Sequence, residues 1–504
     1  MDRFSRRTHL QRAVAAASGG WLAHRPGIGL AASQPSTPPP LLERSILEFG
    51  ARSEEGHGNA ESIQRAIDFC AEKGGGRVIV PPGSFLTGSV VLKSNVQLYL
   101  QKGAVLKSSP RLRDFPERPL RQQARYQQYL KRALIYAQGE KNISVCGEGI
   151  LDGNVLLDGS GEFREQSAEN PTLLWFDECS NVTVRGITFR RSVWWTQAYS
   201  QCRHVHIDRI TVMENYAHNA DGCDFLDCED FLMENCTIDA NDDAICLKSY
   251  VPAGCLRGVI RNNKVRSLCN GIKMGTDSSG GFRHIIIENN EVWQTGISGI
   301  ALQIVDGGIM ENIAVRHTVM NGVGTPVQLR LGNRNRRMNG ILTVPPGILR
   351  NIYIGGLRAT VNKAEKYNDE ERKRHNYQAY TSSICGIPGS RIEEVTLEDV
   401  EIRILGGFPP AGAEDSLREI PELGDKYPEN RMFGTLPSFG FYIRHARKIR
   451  MNRIRIEHLQ PDGRPAFLLD DVHDSAWEGV QVTGRNPTPC FSVLGNCTGV
   501  GLNV

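Results

Sequence analysis

The sequence predicts an all-β fold, a single-stranded parallel β-helix with a helix capping its N-terminal end. Two repeated phrases predict it, together with the composition. The first phrase is a short strand: Asn181-Val182-Thr183-Val184, His204-Val205-His206-Ile207, Phe231-Leu232-Met233-Glu234, Gly258-Val259-Ile260-Arg261, His284-Ile285-Ile286-Ile287 and Asn312-Ile313-Ala314-Val315. These copies recur at intervals in the low to high twenties, the period of a β-solenoid coil. The second phrase also occurs once per coil and includes Gly222-Cys223-Asp224-Phe225, Ala244-Ile245-Cys246-Leu247-Lys248 and Gly271-Ile272-Lys273-Met274. The chain holds 52 glycines among 504 residues, which suits an architecture made of turns. One solenoid can be this long because each repeat contacts only its neighbours.

The elements follow in chain order. Residues 1–33 are expected to form an export signal, leading to the periplasm or the exterior. Ser5-Arg6-Arg7-Thr8-His9-Leu10 resembles a twin-arginine signal, and a mildly apolar run from Ala13 to Leu30 follows it. Gly19, Gly20, His24, Arg25 and Pro26 interrupt that run, so no membrane span is expected. Residues 34–44 read as a Pro-rich linker, and 45–504 as the β-helix domain. Ala60 to Lys73 has helical periodicity (Ile63, Ala66, Ile67, Cys70) and stops at Gly74-Gly75-Gly76. A helix there would close the open end of the solenoid. Strand phrases come next at Arg77–Val80 and Val90–Leu92, and the charged stretch from Lys363 to Tyr377 reads as an insertion.

Thirteen cysteines are an odd number, and many occupy apolar repeat positions. Twin-arginine substrates fold in a reducing compartment, so buried free thiols are expected rather than a disulfide framework. No CxxC pair has zinc-site spacing. A net charge of +3, with no basic stripe, excludes a nucleic-acid surface. A solenoid closes its own core, so a monomer is expected.

Aligning the second phrase on Thr196, Gly222, Ala244, Gly271, Gly299 and Pro326 sorts its side chains. The column holding Tyr199, Phe225, Leu247, Met274, Leu302 and Leu329 is apolar and points inward. Asp224, Lys248, Lys273, Gln303, Gln328 and Arg330 fall in alternate columns, giving this sheet a polar, charge-rich outer face. The column just before the aligned position holds Trp195, Asp221, Asp243, Asn270, Ser298 and Thr325. Stacked strands lie about 4.8 Å apart, so Asp221 and Asp243 are expected to be neighbours, with Asp242 at the adjoining turn. Converging carboxylates repel, so one of them should keep its proton near neutral pH. A protonated acid beside an ionised one suits glycosidic bond cleavage. Turn capping and cation binding remain open alternatives on this pattern. Trp194, Trp195, Tyr199 and Tyr250 suit either sugar stacking or packing.

The chain resembles glycoside hydrolase family 28, the polygalacturonase family of right-handed parallel β-helices, from about Phe49-Gly50-Ala51 onward. Gly74-Gly75-Gly76-Arg77-Val78-Ile79-Val80-Pro81-Pro82-Gly83 is similar to the family's first coils. Asn219-Ala220-Asp221-Gly222 resembles its Asn-Thr-Asp-Gly motif, and Asn241-Asp242-Asp243 its Asp-Asp motif. Gly275 to Phe282, and Tyr427-Pro428-Glu429 with Phe433-Gly434, resemble a bacterial branch. The resemblance implies an inverting hydrolase of pectin-related polysaccharide that needs no cofactor or metal. It makes Asp242 the general acid, and Asp221 and Asp243 the bases.

Two motifs depart from the family. Cys269-Asn270-Gly271 stands where the family has Gly-His-Gly, and Ala301-Leu302-Gln303 where it has Arg-Ile-Lys. Asn270 hydrogen-bonds but does not titrate, and the second motif loses both cations. The expected substrate-binding residues are therefore Asp224, Lys248, Asn270, Lys273, Gln303 and Arg330, with Lys248, Lys273 and Arg330 supplying positive charge. A Ca²⁺-dependent polysaccharide lyase and a non-catalytic glycan-binding solenoid are the alternative readings.

Overall fold

The computed structural model describes residues 42–118, 128–155, 167–215, 217–336, 344–361, 380–407, 420–484, 490–493 and 495–503. The export signal, the linker up to residue 41 and the insertion from Lys363 to Tyr377 lie outside them.

The described strands join one continuous, all-parallel ladder in which each strand pairs with its equivalent a coil away. Each regular coil contributes three strands, and three stacks result. Cys223–Leu226, Glu229–Glu234 and Thr237–Ala240 form one such coil. It pairs forward onto Ile245–Ser249, Cys255–Arg261 and Lys264–Ser267. This is a parallel β-helix.

The two sequence phrases are two of the three stacks. The inward column is preserved in register: Tyr199 opposes Phe225, then Leu247, Met274, Leu302 and Leu329. All six are fully buried. Period-two alternation drives this, because a one-residue slip would expose the whole set. Aromatic rings pack between and within coils, Tyr199 stacking on Phe225 of the next coil at 5.6 Å and Phe225 on Phe231 of its own coil at 4.4 Å between centroids.

The corner into the first-phrase strands is turned by a left-handed residue in each coil: His204 (φ 55°), Asp230 (55°), Arg257 (54°), His284 (59°), Asn312 (62°) and Asn351 (53°). Such isolated left-handed residues let the chain turn without a long loop. The helix spans Ala60–Glu72 and buries Ile63, Ala66, Ile67 and Cys70 against the first coil's core. Gly74 (φ 90°) and Gly75 (φ 133°) then turn the chain. A Cβ on Gly75 would lie 2.7 Å from Asn95, so glycine is required there. Glu43–Ser45 already pairs with Arg77–Ile79, so the solenoid begins inside the stretch that composition assigned to the linker.

All thirteen cysteines are free, and ten are buried. Cys202, Cys228 and Cys255 repeat at one corner, each with its thiol against a carbonyl of the preceding coil. Among the described residues, no helix is long and apolar enough to cross a membrane.

The outer face differs from the sequence expectation. Asp224, Lys273, Gln303, Gln328 and Arg330 are each at most 4% exposed. The cause is cover and pairing: their polar ends bond to one another and to a segment from residues 420–433, as described next.

Candidate active site

The acids sit where two coils turn into their second-phrase strands. Backbone bonds stack these turns: Thr196 N–H donates to Asp221 O and Gly222 N–H to Asp243 O, both at 2.9 Å. Asn219 holds φ at 57°, and the chain then passes close over the next coil. A Cβ on Gly222 would meet Ala244 O at 2.5 Å, and one on Gly271 would meet Gly299 O at 2.8 Å. The glycines beside Asp221 and Asn270 thus set the coil spacing that brings the carboxylates together.

Two lysines sort the acids into groups. Lys248 Nζ donates to Asp221 Oδ2 at 2.8 Å and also to Asp224 Oδ1. Its ammonium lies 4.0 Å from the centre of the Trp195 ring, which stacks on Tyr129 at 5.4 Å. Lys273 Nζ donates to Asp243 Oδ2 at 2.8 Å, and Asn270 Nδ2 donates to Asp243 Oδ1 at 2.7 Å. Asp242 is half-buried, and its Oδ2 accepts from Asn219 Nδ2 at 3.1 Å.

The carboxyls consequently titrate apart. Burial, then repulsion by Asp243, pushes Asp242 up. Burial acts the same way on Asp243, but Lys273, Lys248 and the Asn270 hydrogen bond outweigh it and hold Asp243 below the ordinary carboxylate range. Burial and Asp224 raise Asp221 well above its usual value. Burial brings Asp224 to about 6, against the pull of Lys248. Adjacent residues of one turn are thus displaced in opposite directions, Asp242 up and Asp243 down.

Carboxylate oxygens of Asp221 and Asp224 lie with Cys246 Sγ within 4.8 Å of one another, a spacing a cation can fill. Lys248 already bonds both carboxylates and supplies the positive charge there.

The other expected residues divide. Asn270 also accepts from Ser298 N–H at 3.2 Å, bridging coils. Gln303 Nε2 donates to Gln328 Oε1 at 3.1 Å and to Pro428 O at 3.2 Å. Arg330 donates to the carbonyls of Gly386 (3.0 Å) and Glu422 (2.7 Å), and its guanidinium lies over Phe433. Tyr199 belongs to the core, edge-on to Phe176 and stacked on Phe225. Trp194 and Trp195 are parallel at 6.4 Å and nearly buried.

Sequence reasoning gave no role to Tyr427 and Glu429, although their motif was visible. Tyr427 OH lies 3.3 Å from Lys273 Nζ. Glu429 is 7% exposed and contacts Arg431. Burial raises its carboxyl, against the pull of Lys273 and Arg431. Asp277 also joins the site's edge, accepting from Tyr250 OH at 2.9 Å and pairing with Arg334 at 3.0 Å. The aromatic–proline–acid triplet following a long loop was the available signal for Tyr427 and Glu429.

Among curated proteins, an exo-poly-alpha-D-galacturonosidase of Dickeya chrysanthemi is 25% identical over 336 residues, covering 55% of this chain and 55% of the relative. Exopolygalacturonase B of Aspergillus niger is 24% identical over 228 residues, covering 40% and 50%. The chain therefore spans about half the length of these relatives. Among solved structures, a hyperthermoactive exopolygalacturonase from Thermotoga maritima superposes with a TM-score of 0.61 at 21% identity, over 82% of this chain and 91% of that one. A family 28 exopolygalacturonase from Yersinia enterocolitica gives 0.56 at 19% identity, over 92% and 78%. These superpositions show the shared parallel β-helix. The sequence model of Glycosyl hydrolases family 28 matches residues 70–302, a stretch that contains Asp221, Asp242 and Asp243 and ends just before Gln303. Over that stretch, a little under half of its length, the chain is similar to Glycosyl hydrolases family 28.

Proposed function

We propose that the protein is a glycoside hydrolase that cleaves pectin-related polysaccharide or oligosaccharide by carboxylate acid/base catalysis with inversion. The observation that carries this reading is the opposite displacement of adjacent carboxyls, Asp242 up and Asp243 down. Asp242 gives its proton to the glycosidic oxygen as the bond from the anomeric carbon to that oxygen breaks. Water attacks the anomeric carbon from the opposite face, and its proton passes to Asp243, while Asp221, the other expected base, lies one coil away and helps to position that water. One water is consumed per bond and one new reducing end is formed. Lys273 and Lys248 keep the two base carboxylates oriented through the bonds described above.

The names of the curated relatives support a pectic substrate. Export by the twin-arginine route is part of the same proposal, supported by the residue pattern of positions 1–33 and by the thiol state of every cysteine.

The test is product analysis on a panel of pectic and neutral plant oligosaccharides. New reducing ends without ultraviolet absorbance from a double bond, lost in Asp242→Asn, are expected. Absorbance rising with the reducing ends would mean elimination instead and would refute the hydrolase.

A further inference from the structure

Residues 420–433 cross the outer face of the second-phrase sheet as a strap, and three coils hold it. Arg330 Nη2 donates to Glu422 O at 2.7 Å, and Asn333 N–H to Gly424 O at 2.6 Å. Gln303 and Gln328 both donate to Pro428 O. Ser383 Oγ donates to Asn430 Oδ1 at 2.6 Å. Gln303 stands where the resemblance expects a lysine, and it is fully buried in this anchor. The strap lies beyond the stretch that matches the family.

What the strap delivers is an aromatic ring and an acid. Tyr427 leaves 48% of its surface exposed, although its hydroxyl reaches Lys273. It is the only aromatic among the exposed large hydrophobics of the described residues. A ring held open beside the catalytic acids is a platform for a pyranose. Glu429 follows two residues later, within the field of Asp242 and Asp243.

The charges around this platform are already matched. Lys273 holds Asp243, Lys248 holds Asp221 and Asp224, Arg431 holds Glu429, and Arg334, whose guanidinium lies 5.9 Å from the Tyr427 ring, holds Asp277 and Asp306. A substrate carboxylate placed against Tyr427 would meet Glu429 with each of these four cations already paired. A hydroxyl or hydroxymethyl group would instead donate to Glu429. An unmatched charge in a buried site is costly, whereas a hydrogen-bonded hydroxyl is not.

We propose that the 420–433 strap is a specificity element, with Tyr427 stacking on the sugar ring beside the cleaved bond and Glu429 selecting a neutral sugar over a uronate at that position. The proposal rests on the glycoside hydrolase reading and names the substrate class of its site.

The test uses the full chain carrying Asp242→Asn, so that binding is read without turnover. Calorimetry compares trigalacturonate with the same trisaccharide whose carboxyls have been reduced to hydroxymethyl groups. The reduced form is expected to bind at least ~10-fold more tightly, the size a like-charge contact gives. Glu429→Gln, nearly isosteric, should bring the two affinities within about 3-fold by removing that charge, and Glu429→Asp should keep the preference. Tyr427→Ala should weaken binding of the reduced trisaccharide about 10-fold through the lost stacking. Tighter or equal binding of the acidic form, a preference that survives Glu429→Gln, or binding of neither sugar would overturn the proposal. Turnover by the unmutated chain, measured separately, reports on the hydrolase reading, so the two failures stay distinct.

Discussion

The ammonium of Lys273 sits 2.8 Å from Asp243 Oδ2, on a side chain one coil away from the acid it serves. Both groups are almost fully buried, 5% exposed each. This pair holds the carboxyl of Asp243 below its ordinary value, while that of Asp242 beside it is raised. It also explains the extra lysine in the column that Ala301 occupies one coil later.

Lys273→Met should therefore damage the chemistry more than the binding. Asp243 loses its cation, its carboxyl rises, and the acidic limb of the kcat/KM profile moves to higher pH. We expect kcat to fall at least ~100-fold, since breaking a buried pair costs about 3–5 kcal/mol. Steady-state kinetics across pH checks this. A large rise in KM with unchanged kcat would make Lys273 a substrate clamp instead.

Stability should follow the same linkage. A carboxyl held below its ordinary value contributes stability above about pH 4, and loses it as pH falls through the folded value. Asp471 is the surface example. Burial opposes its ionisation, but hydrogen bonds from Arg391, His445 and His473 hold it far below the usual range. Asp471→Asn should destabilise by about 2 kcal/mol at pH 7, in line with hydrogen bonds to a charged group. The gap from the parent should shrink in strong acid. Urea titrations at pH 7 and pH 3 measure it.

The strap anchors should affect catalysis without unfolding the solenoid. Gln328→Ala removes a donor to Pro428 O from a site whose core is otherwise untouched. We expect kcat/KM to fall about 10-fold, equivalent to one buried hydrogen bond, with Tm lowered only slightly. A Tm drop comparable to that of a core mutant would place the strap's role in folding.

Phe225→Ala supplies that core reference. Phe225 is fully buried, with Tyr199 on one side and Phe231 on the other. The loss should be about 3–5 kcal/mol, the range for truncating a buried phenylalanine. Chemical denaturation gives the value directly.

The coil was legible because its signals are local and periodic. Tyr199, Phe225, Leu247, Met274, Leu302 and Leu329 were one column in the sequence and are one column in space. The stacking of Asp221 over Asp243 follows from the same period. The burial of Gln303, Gln328 and Arg330 was not legible, because the strap that covers them comes from about a hundred residues further on. No periodicity links positions so far apart. The same distance hid Glu429, whose neighbourhood depends on where an irregular segment crosses the sheet. The partners of Lys248 and Lys273 were hidden for another reason. The columns show which residues share a face, but not which carboxylate each long side chain reaches.

The most direct test of the central claim is a kcat/KM profile against pH on a cleaved oligosaccharide, for the parent and Asp242→Asn, with the anomer of the first product followed by NMR. The account predicts a bell whose alkaline limb belongs to Asp242, a loss of at least ~1,000-fold in the variant, and an inverted product. Retained activity in Asp242→Asn, or an alkaline limb that persists in it, would contradict the assignment of Asp242 as the acid.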